Sequence, residues 1–290
     1  MIDFTIMQGV IFIEHGLEEA KCIASSRLCD AYGCTGIGGR SENQDAYGGI
    51  CNDENIILTV CDGMGGMNGG QTASRIACNE IVQSLSTVPK GQMNVDALKQ
   101  AVAKANTSIY QRAMEEPSLR GMGTTATVVV INSTAAYITH VGDSRIYQLR
   151  KGKKIFRTFD HSKVFEMVAR KMMTEEQARQ SSFSNIITRA LGIRPEVEME
   201  VEILPYKKGD RFILCCDGVW NTLPESEIIT LFNSNENVKE EVFGLLERVD
   251  AIGVENGANH DNLTAIVADV KANSKYQYSW LKKIKRRLKK

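Results

Sequence analysis

Residues 124–149 read Thr-Thr-Ala-Thr-Val-Val-Val-Ile-Asn-Ser-Thr-Ala-Ala-Tyr-Ile-Thr-His-Val-Gly-Asp-Ser-Arg-Ile-Tyr-Gln-Leu. Three runs rich in β-branched and aromatic residues (124–131, 135–141 and 144–149) are parted only by short polar turns. No helix fits between them, so they must be consecutive antiparallel strands, since parallel neighbours need a crossover of a dozen residues or more. Strands in a run, with helices grouped elsewhere, predict a layered α+β domain rather than alternating βα units.

The flanking sequence agrees. Residues 55–61 (Asn-Ile-Ile-Leu-Thr-Val-Cys) form a buried-strand pattern halted by Asp62-Gly63. After a glycine-rich loop, Ala73, Ile76, Ala77 and Ile81 predict a helix over 70–86. Asp96 reads as the cap of a second helix, with Leu98, Val102, Ala105 and Ile109 on one face. Further on, residues 162–181, 225–232 and 238–251 read as helix, and 197–204, 211–216 and 263–270 as strand. No linker or repeat divides the chain. We expect an N-terminal extension over 1–21, whose alternation suits an extra strand, a catalytic domain over 22–271, and a basic tail over 272–290.

Hydrophobic content of 43% and charged content of 24% are those of an ordinary globular protein. The formal charge of zero is uneven. Residues 282–290 carry seven Lys/Arg, and setting them aside leaves 28 basic against 35 acidic residues, a body of net −7. Such a body argues against nucleic acid as a partner. In the tail, Trp280, Leu281, Ile284 and Leu288 share one helical face amid the basic residues, a pattern suited to an anionic membrane surface. A solvated end is the competing reading. The eight cysteines form no CxxC pair, which excludes the usual tetrahedral zinc site and favours a reducing, cytoplasmic setting. The N-terminus lacks the basic start and cleavage site of a secretory signal.

Four aspartates, Asp62, Asp143, Asp217 and Asp261, each stand beside a strand pattern, and Asp45 follows Arg40-Ser41-Glu42-Asn43-Gln44. Carboxylates brought to strand ends from remote parts of a chain suit a hard divalent cation, Mn²⁺ or Mg²⁺. Two such ions can activate a water and clamp the attacking and leaving oxygens of a phosphate ester. Asp62 is the best bridging carboxylate, and Gly63 lets a backbone carbonyl approach the same ion. One Asp-Gly after a strand is most often a turn; the joint occurrence carries the reading.

Over residues 30–270 the chain resembles the metal-dependent protein Ser/Thr phosphatases (PPM, or type 2C) in their compact bacterial form. The resemblance rests on an ordered set: Arg-x-x-Asn-x-Asp at 40–45, Asp-Gly-Met-Gly-Gly at 62–66, Gly-Thr-Thr-Ala at 123–126, His-Val-Gly-Asp-Ser-Arg at 140–145, Asp-His at 160–161, Thr-Arg-Ala-Leu-Gly at 188–192, Cys-Asp-Gly-Val-Trp at 216–220 and Asp-Asn-Leu-Thr at 261–264. It implies a four-layer α-β-β-α sandwich of two antiparallel sheets flanked by helix pairs. By position, Asp62 would bridge two core ions and the Gly63 carbonyl would join one. Asp217 and Asp261 would complete the other, Asp45 would act through water, and Asp143 with Asp217 would form a weaker third site. Arg40 would hold the substrate phosphate. The implied activity is hydrolysis of phosphoserine and phosphothreonine in proteins by direct attack of a metal-bridging water, opposite a bacterial Ser/Thr kinase, in a monomer. Residues 162–187 would form a mobile flap beside the site.

Two positions depart from the family pattern: Gln44 replaces a glutamate that supports a metal, and Met64 stands where animal members have a histidine. The alternative is a catalytically silent relative that binds a phosphoprotein or kinase. Gln44 alone favours it. A dedicated phosphatase acting on one phosphorylated regulator is a third reading. His161 is expected in a structural hydrogen bond and His140 in the core, while His15 and His260 offer no metal spacing. The glycines after Gly63 lack the Lys-Ser/Thr of a nucleotide-binding loop.

Overall fold

The computed structural model describes residues 17, 19–66, 69–181, 183, 186–232 and 237–276. Among the described residues twelve strands form two six-stranded sheets, all pairs antiparallel. They are β1 (Lys21–Ser25), β2 (Cys29–Gly36), β3 (Asp45–Cys51), β4 (Asn55–Met64), β5 (Gly123–Thr124), β6 (Ala126–Asn132), β7 (Ala136–Val141), β8 (Arg145–Arg150), β9 (Lys153–Arg157), β10 (Val201–Leu204), β11 (Asp210–Cys215) and β12 (Leu263–Val270). One sheet runs β1-β2-β12-β11-β8-β9. The other runs β10-β7-β6-β4-β3, with β5 attached to the end of β4. The described helices are α1 (Gly69–Ser86), α2 (Val95–Glu115), α3 (Lys163–Ala169), α4 (Glu175–Arg179), α5 (Asp217–Thr222), α6 (Glu225–Leu231) and α7 (Val238–Glu255), with a single 3₁₀ turn at Pro117–Leu119.

The strand period produces the layers. On β6, Val128 and Val130 face α1 and α2, whereas Val129 and Ile131 face the other sheet. On β11, Ile213 and Cys215 pack towards α5–α7, and Phe212 and Leu214 towards the sheet that contains β4 and β6. Each sheet is covered on both faces, which is why these strands read as continuous apolar runs rather than alternating ones. Three cores, helix–sheet, sheet–sheet and sheet–helix, stack into the four-layer α-β-β-α sandwich.

Several boundaries differ from expectation. The second helix is capped by Asn94, whose side chain accepts the Ala97 N–H, two residues ahead of the expected Asp96. Residues 162–181 form two short helices instead of one: the chain turns at Lys171 with φ 58°, and a capping box at Thr174 and Gln177 starts α4. Strand pairing over 197–204 is confined to β10, and just before that stretch Asn106 of α2 donates to the Arg194 and Pro195 carbonyls. Of the N-terminal extension, Leu17 bridges Gly36 and β1 begins at Lys21. The strand expected earlier, and the tail helix beyond Tyr276, lie outside the described residues. No helix of the described residues is long and apolar enough to cross a membrane.

Candidate active site

Asp45 opens β3 and pairs directly with Asp62 near the end of β4. At that same end of the sandwich, Asp143 occupies the β7–β8 turn, Asp217 follows β11 as the first residue of α5, and Asp261 lies two residues before β12. Antiparallel connectivity therefore gathers five carboxylates from both sheets onto one edge. Like charges placed opposite one another are destabilising, so the arrangement calls for a compensating charge.

The titration behaviour says the same. Burial, then Asp45, Asp217, Asp143 and Asp261, push the Asp62 carboxyl well above the usual carboxylate range. Burial raises Asp45 to about 7, with Asp261 and Asp217 adding to the rise and Thr264 and Cys216 easing it. Burial and Asp261 raise Asp217 to about 6. Burial followed by Asp217 drives Asp143 upward. Both carboxylate oxygens of Asp45 are buried without a well-formed hydrogen bond. Among the described residues, no three His, Cys, Asp or Glu side chains close on a point by themselves. The donors are all hard oxygens, and the buried, unpartnered carboxylate of Asp45 among carboxylates that repel it fits a divalent cation.

The pH consequence follows by linkage. Asp45 and Asp217 hold protons more tightly in the folded than in the unfolded state, so their contribution is fully present below about pH 4 and is lost as pH rises through about 6 to 7. Metal-stripped protein should melt at a lower temperature at pH 8 than at pH 5.5. Added Mn²⁺ should raise the melting temperature mainly at pH 8, and calorimetry in two buffers should show proton release on binding.

Around the carboxylates lies a scaffold of neutral hydrogen bonds. Gly63 N–H donates to the Gln44 carbonyl at 3.1 Å, tying β4 to the loop that carries Arg40. A side chain at Gly63 would sit 2.1 Å from the Gly70 carbonyl oxygen, so the start of α1 can close on this strand only over glycine. Thr125 Oγ1 accepts the Asp62 N–H at 3.0 Å and shares a 2.7 Å hydrogen bond with Ser144. Asn262 accepts the Gln44 N–H at 2.9 Å and donates to the Ile37 and Glu42 carbonyls at 2.8 and 3.0 Å. Trp220 Nε1 donates to the Asp143 carbonyl at 3.0 Å. Thr125, Ser144, Trp220 and Asn262 all fall within the quoted motifs, but sequence alone assigned them no role. Their signal was their adjacency to the acids.

Arg40 donates to Asp261 at 2.8 Å across half-exposed side chains. The Gln44 amide donates to Glu42, and its oxygen points at Gly70. His161 Nδ1 accepts the Gly142 N–H at 3.2 Å, and burial, His140 and Arg189 lower its pKa to about 3; it is neutral at working pH and no proton donor. His140 stacks on His161 at 4.3 Å and is only partly buried, not an apolar core residue. His260 bonds Asp250 at 2.8 Å. None of the eight cysteines forms a disulfide, and burial pushes the Cys61 and Cys215 thiols up to about 12 and Cys216 well above the ordinary thiol range, which leaves these three no thiolate for nucleophilic work.

A family model described as "Protein phosphatase 2C" matches residues 33–273. The chain belongs to the protein phosphatase 2C family. The serine/threonine phosphatase Stp of Listeria monocytogenes is 30% identical over 234 residues, which cover 79% of this chain and 91% of that protein. Stp1 from Staphylococcus aureus superposes with a TM-score of 0.75 at 25% identity, covering 92% of this chain and 100% of that one. The catalytic domain of the phosphatase PstP, solved in complex with two manganese ions, gives a TM-score of 0.70 at 29% identity over 84% of this chain and 99% of that one. This member of the 2C family is accordingly a metal-dependent protein Ser/Thr phosphatase, and nothing found favours the silent alternative.

Proposed function

We propose that the edge carrying Asp45, Asp62, Asp143, Asp217 and Asp261 is a two-metal centre that hydrolyses phosphoserine and phosphothreonine. The observation that carries the reading is the largely desolvated, mutually repelling carboxylate cluster, with Asp45 and Asp143 buried, on a fold of this family. Two divalent cations, Mn²⁺ or Mg²⁺, would supply charge neutralisation and an activated water for direct attack on phosphorus. Asp62 would serve both ions, with the Gly63 carbonyl beside it. Asp217 and Asp261 would serve one of them, and Asp45 would orient water from the buried strand pair. Asp143, whose proton affinity Asp217 raises, would join Asp217 in holding a third, weaker ion. A metal-stripped sample should release phosphate from a phosphothreonine peptide only when Mn²⁺ or Mg²⁺ is restored; absence of release from folded, metal-loaded protein would overturn the reading.

Arg40 would exchange its bond with Asp261 for the substrate phosphate, freeing that carboxylate as it does so. A guanidinium fork matches two phosphate oxygens. Arg40→Ala should lower kcat/KM for a phosphopeptide about 10- to 100-fold, the worth of a charge-assisted hydrogen bond, with Arg40→Lys recovering only part.

The substrates would be phosphoproteins, among them the opposing Ser/Thr kinase and its targets, in the cytoplasm. The described chain ends at Tyr276, whose N–H donates to Thr134 in the β6–β7 turn, at the end of the sheets opposite Asp62. Anchoring by the basic residues 282–290 on an anionic membrane would therefore leave the carboxylate edge clear. Deleting residues 277–290 should abolish co-sedimentation with anionic vesicles while phosphopeptide turnover in solution persists; vesicle binding by the truncated protein would sink this part.

A further inference from the structure

We infer that a cleft beside the carboxylate edge is the subsite for the polypeptide flanking the phosphorylated residue, and that it favours an apolar neighbour followed by a basic one. The inference rests on the phosphatase reading and adds its substrate preference. The cleft encloses roughly 650 Å³ and is lined by Met64, Ile193 and Val197 together with Glu166, Glu196 and Glu198.

Its wall is wired to the catalytic strand. Met64 is the last residue of β4, two beyond Asp62, and pairs with Gly123 of β5; Thr124 and Leu191 then exchange backbone hydrogen bonds at 3.1 and 2.9 Å. Ile193 packs over Gly123, where an added Cβ would lie 2.7 Å from its Cδ1. The cleft thus shares a wall with the strand that carries Asp62.

The loop that presents Ile193 is rigidly held. Asn106, 2% exposed on α2, accepts the Gly192 N–H at 2.8 Å and donates to the Arg194 and Pro195 carbonyls, each at 3.0 Å. Gly192 has φ +84°, and a side chain there would meet Ile109 at 2.2 Å, so the turn is fixed by sequence as well as by hydrogen bonds. Yet the loop leaves Ile193 46% exposed. A buried polar clamp that immobilises an exposed isoleucine next to a catalytic strand supplies a preorganised apolar contact for a ligand. The charges set the second preference. Glu166, Glu196 and Glu198 stand against Arg189, 3.8 Å from Glu198, and Arg194, so the lining is net negative and disfavours an acidic segment.

The test compares three substrates with Mn²⁺-loaded protein: p-nitrophenyl phosphate, which is too small to reach the cleft, and two phosphothreonine peptides, one flanked by Leu and then Arg on each side, the other by Asp at the same places. Wild type should prefer the Leu/Arg peptide. Ile193→Asp should raise KM for that peptide about tenfold, the scale of a lost apolar contact, and leave aryl phosphate turnover within about twofold. Glu196→Lys, a surface charge change, should shrink or invert the Arg-over-Asp preference. Equal losses on peptide and aryl phosphate, or no loss on either, would overturn the subsite. Wild-type protein inactive on all three substrates would instead overturn the phosphatase reading and the subsite with it.

Discussion

Asp217→Asn should slow phosphate release from a phosphothreonine peptide by roughly 10²–10⁴-fold at saturating peptide and millimolar Mn²⁺, equivalent to about 3–5 kcal/mol of transition-state stabilisation. Asparagine keeps the shape and one oxygen but removes the charge that would draw the ion. The same change should make metal-free protein more stable. Asp217 is partly buried beside Asp261, which with burial holds its carboxyl at about 6, so at pH 8 the folded state carries an ionised group it disfavours. Removing it should yield on the order of 1–3 kcal/mol, visible as a higher melting temperature in chelator. A residue of the hydrophobic core would lose both properties together. The opposed signs, activity down and metal-free stability up, are what mark a metal ligand.

The largest expected stability loss lies behind the site. Asp160→Ala should destabilise the protein by about 3–5 kcal/mol, because it leaves a buried guanidinium unpaired. Arg145 makes two hydrogen bonds to Asp160, at 2.9 and 2.7 Å, with side chains only 3% and 1% exposed. Its guanidinium also lies 3.7 Å from the Trp220 ring centroid and 5.1 Å from that of Phe165. For a domain of this size the loss corresponds to a fall of about 10 °C in Tm, measurable by scanning calorimetry. Replacing both partners together with apolar residues should cost less than Asp160→Ala alone. Trp220 donates to the Asp143 carbonyl, so the single variant should also weaken whatever binds at Asp143. The Gly-Asp-Ser-Arg motif thus joins a proposed ligand to its brace: Asp143 would face the ions, and Arg145, two residues on, anchors the turn.

The elements read correctly from sequence are those whose own residues decide them. Strands β6, β7, β11 and β12 are β-branched and buried on both faces, and α1 and α2 carry apolar residues at helical spacing over many turns. The missed elements had no such pattern. Strands β2 and β3 (Cys-Asp-Ala-Tyr-Gly-Cys-Thr-Gly and Asp-Ala-Tyr-Gly-Gly-Ile-Cys) are made of small residues with poor strand propensity. They are small because Tyr47 must fit: a side chain at Gly33 would stand 2.5 Å from its ring. Helix α5 spans six residues after a strand, too short for any period to show. The five acids were legible because their chemistry demands remote carboxylates at strand ends. That Asp45 lies directly opposite Asp62 was not, since register follows from the pairing of β3, whose sequence gave no strand signal. Nor could the sequence show Arg40 bonded to Asp261, or Asn262 pinning the loop between them.

The central claim is that the acidic edge is a two-metal centre, and ion stoichiometry tests it most directly. Chelator-treated protein should be titrated with Mn²⁺ at pH 8 by calorimetry, with bound and free ion counted by electron paramagnetic resonance, alongside Asp62→Asn. The account predicts about two tightly bound ions per chain, as a two-metal hydrolase requires, and loss of both sites in Asp62→Asn with the fold intact by circular dichroism. Wild-type protein that binds no Mn²⁺, or an Asp62→Asn protein that binds it as tightly as wild type, would contradict it.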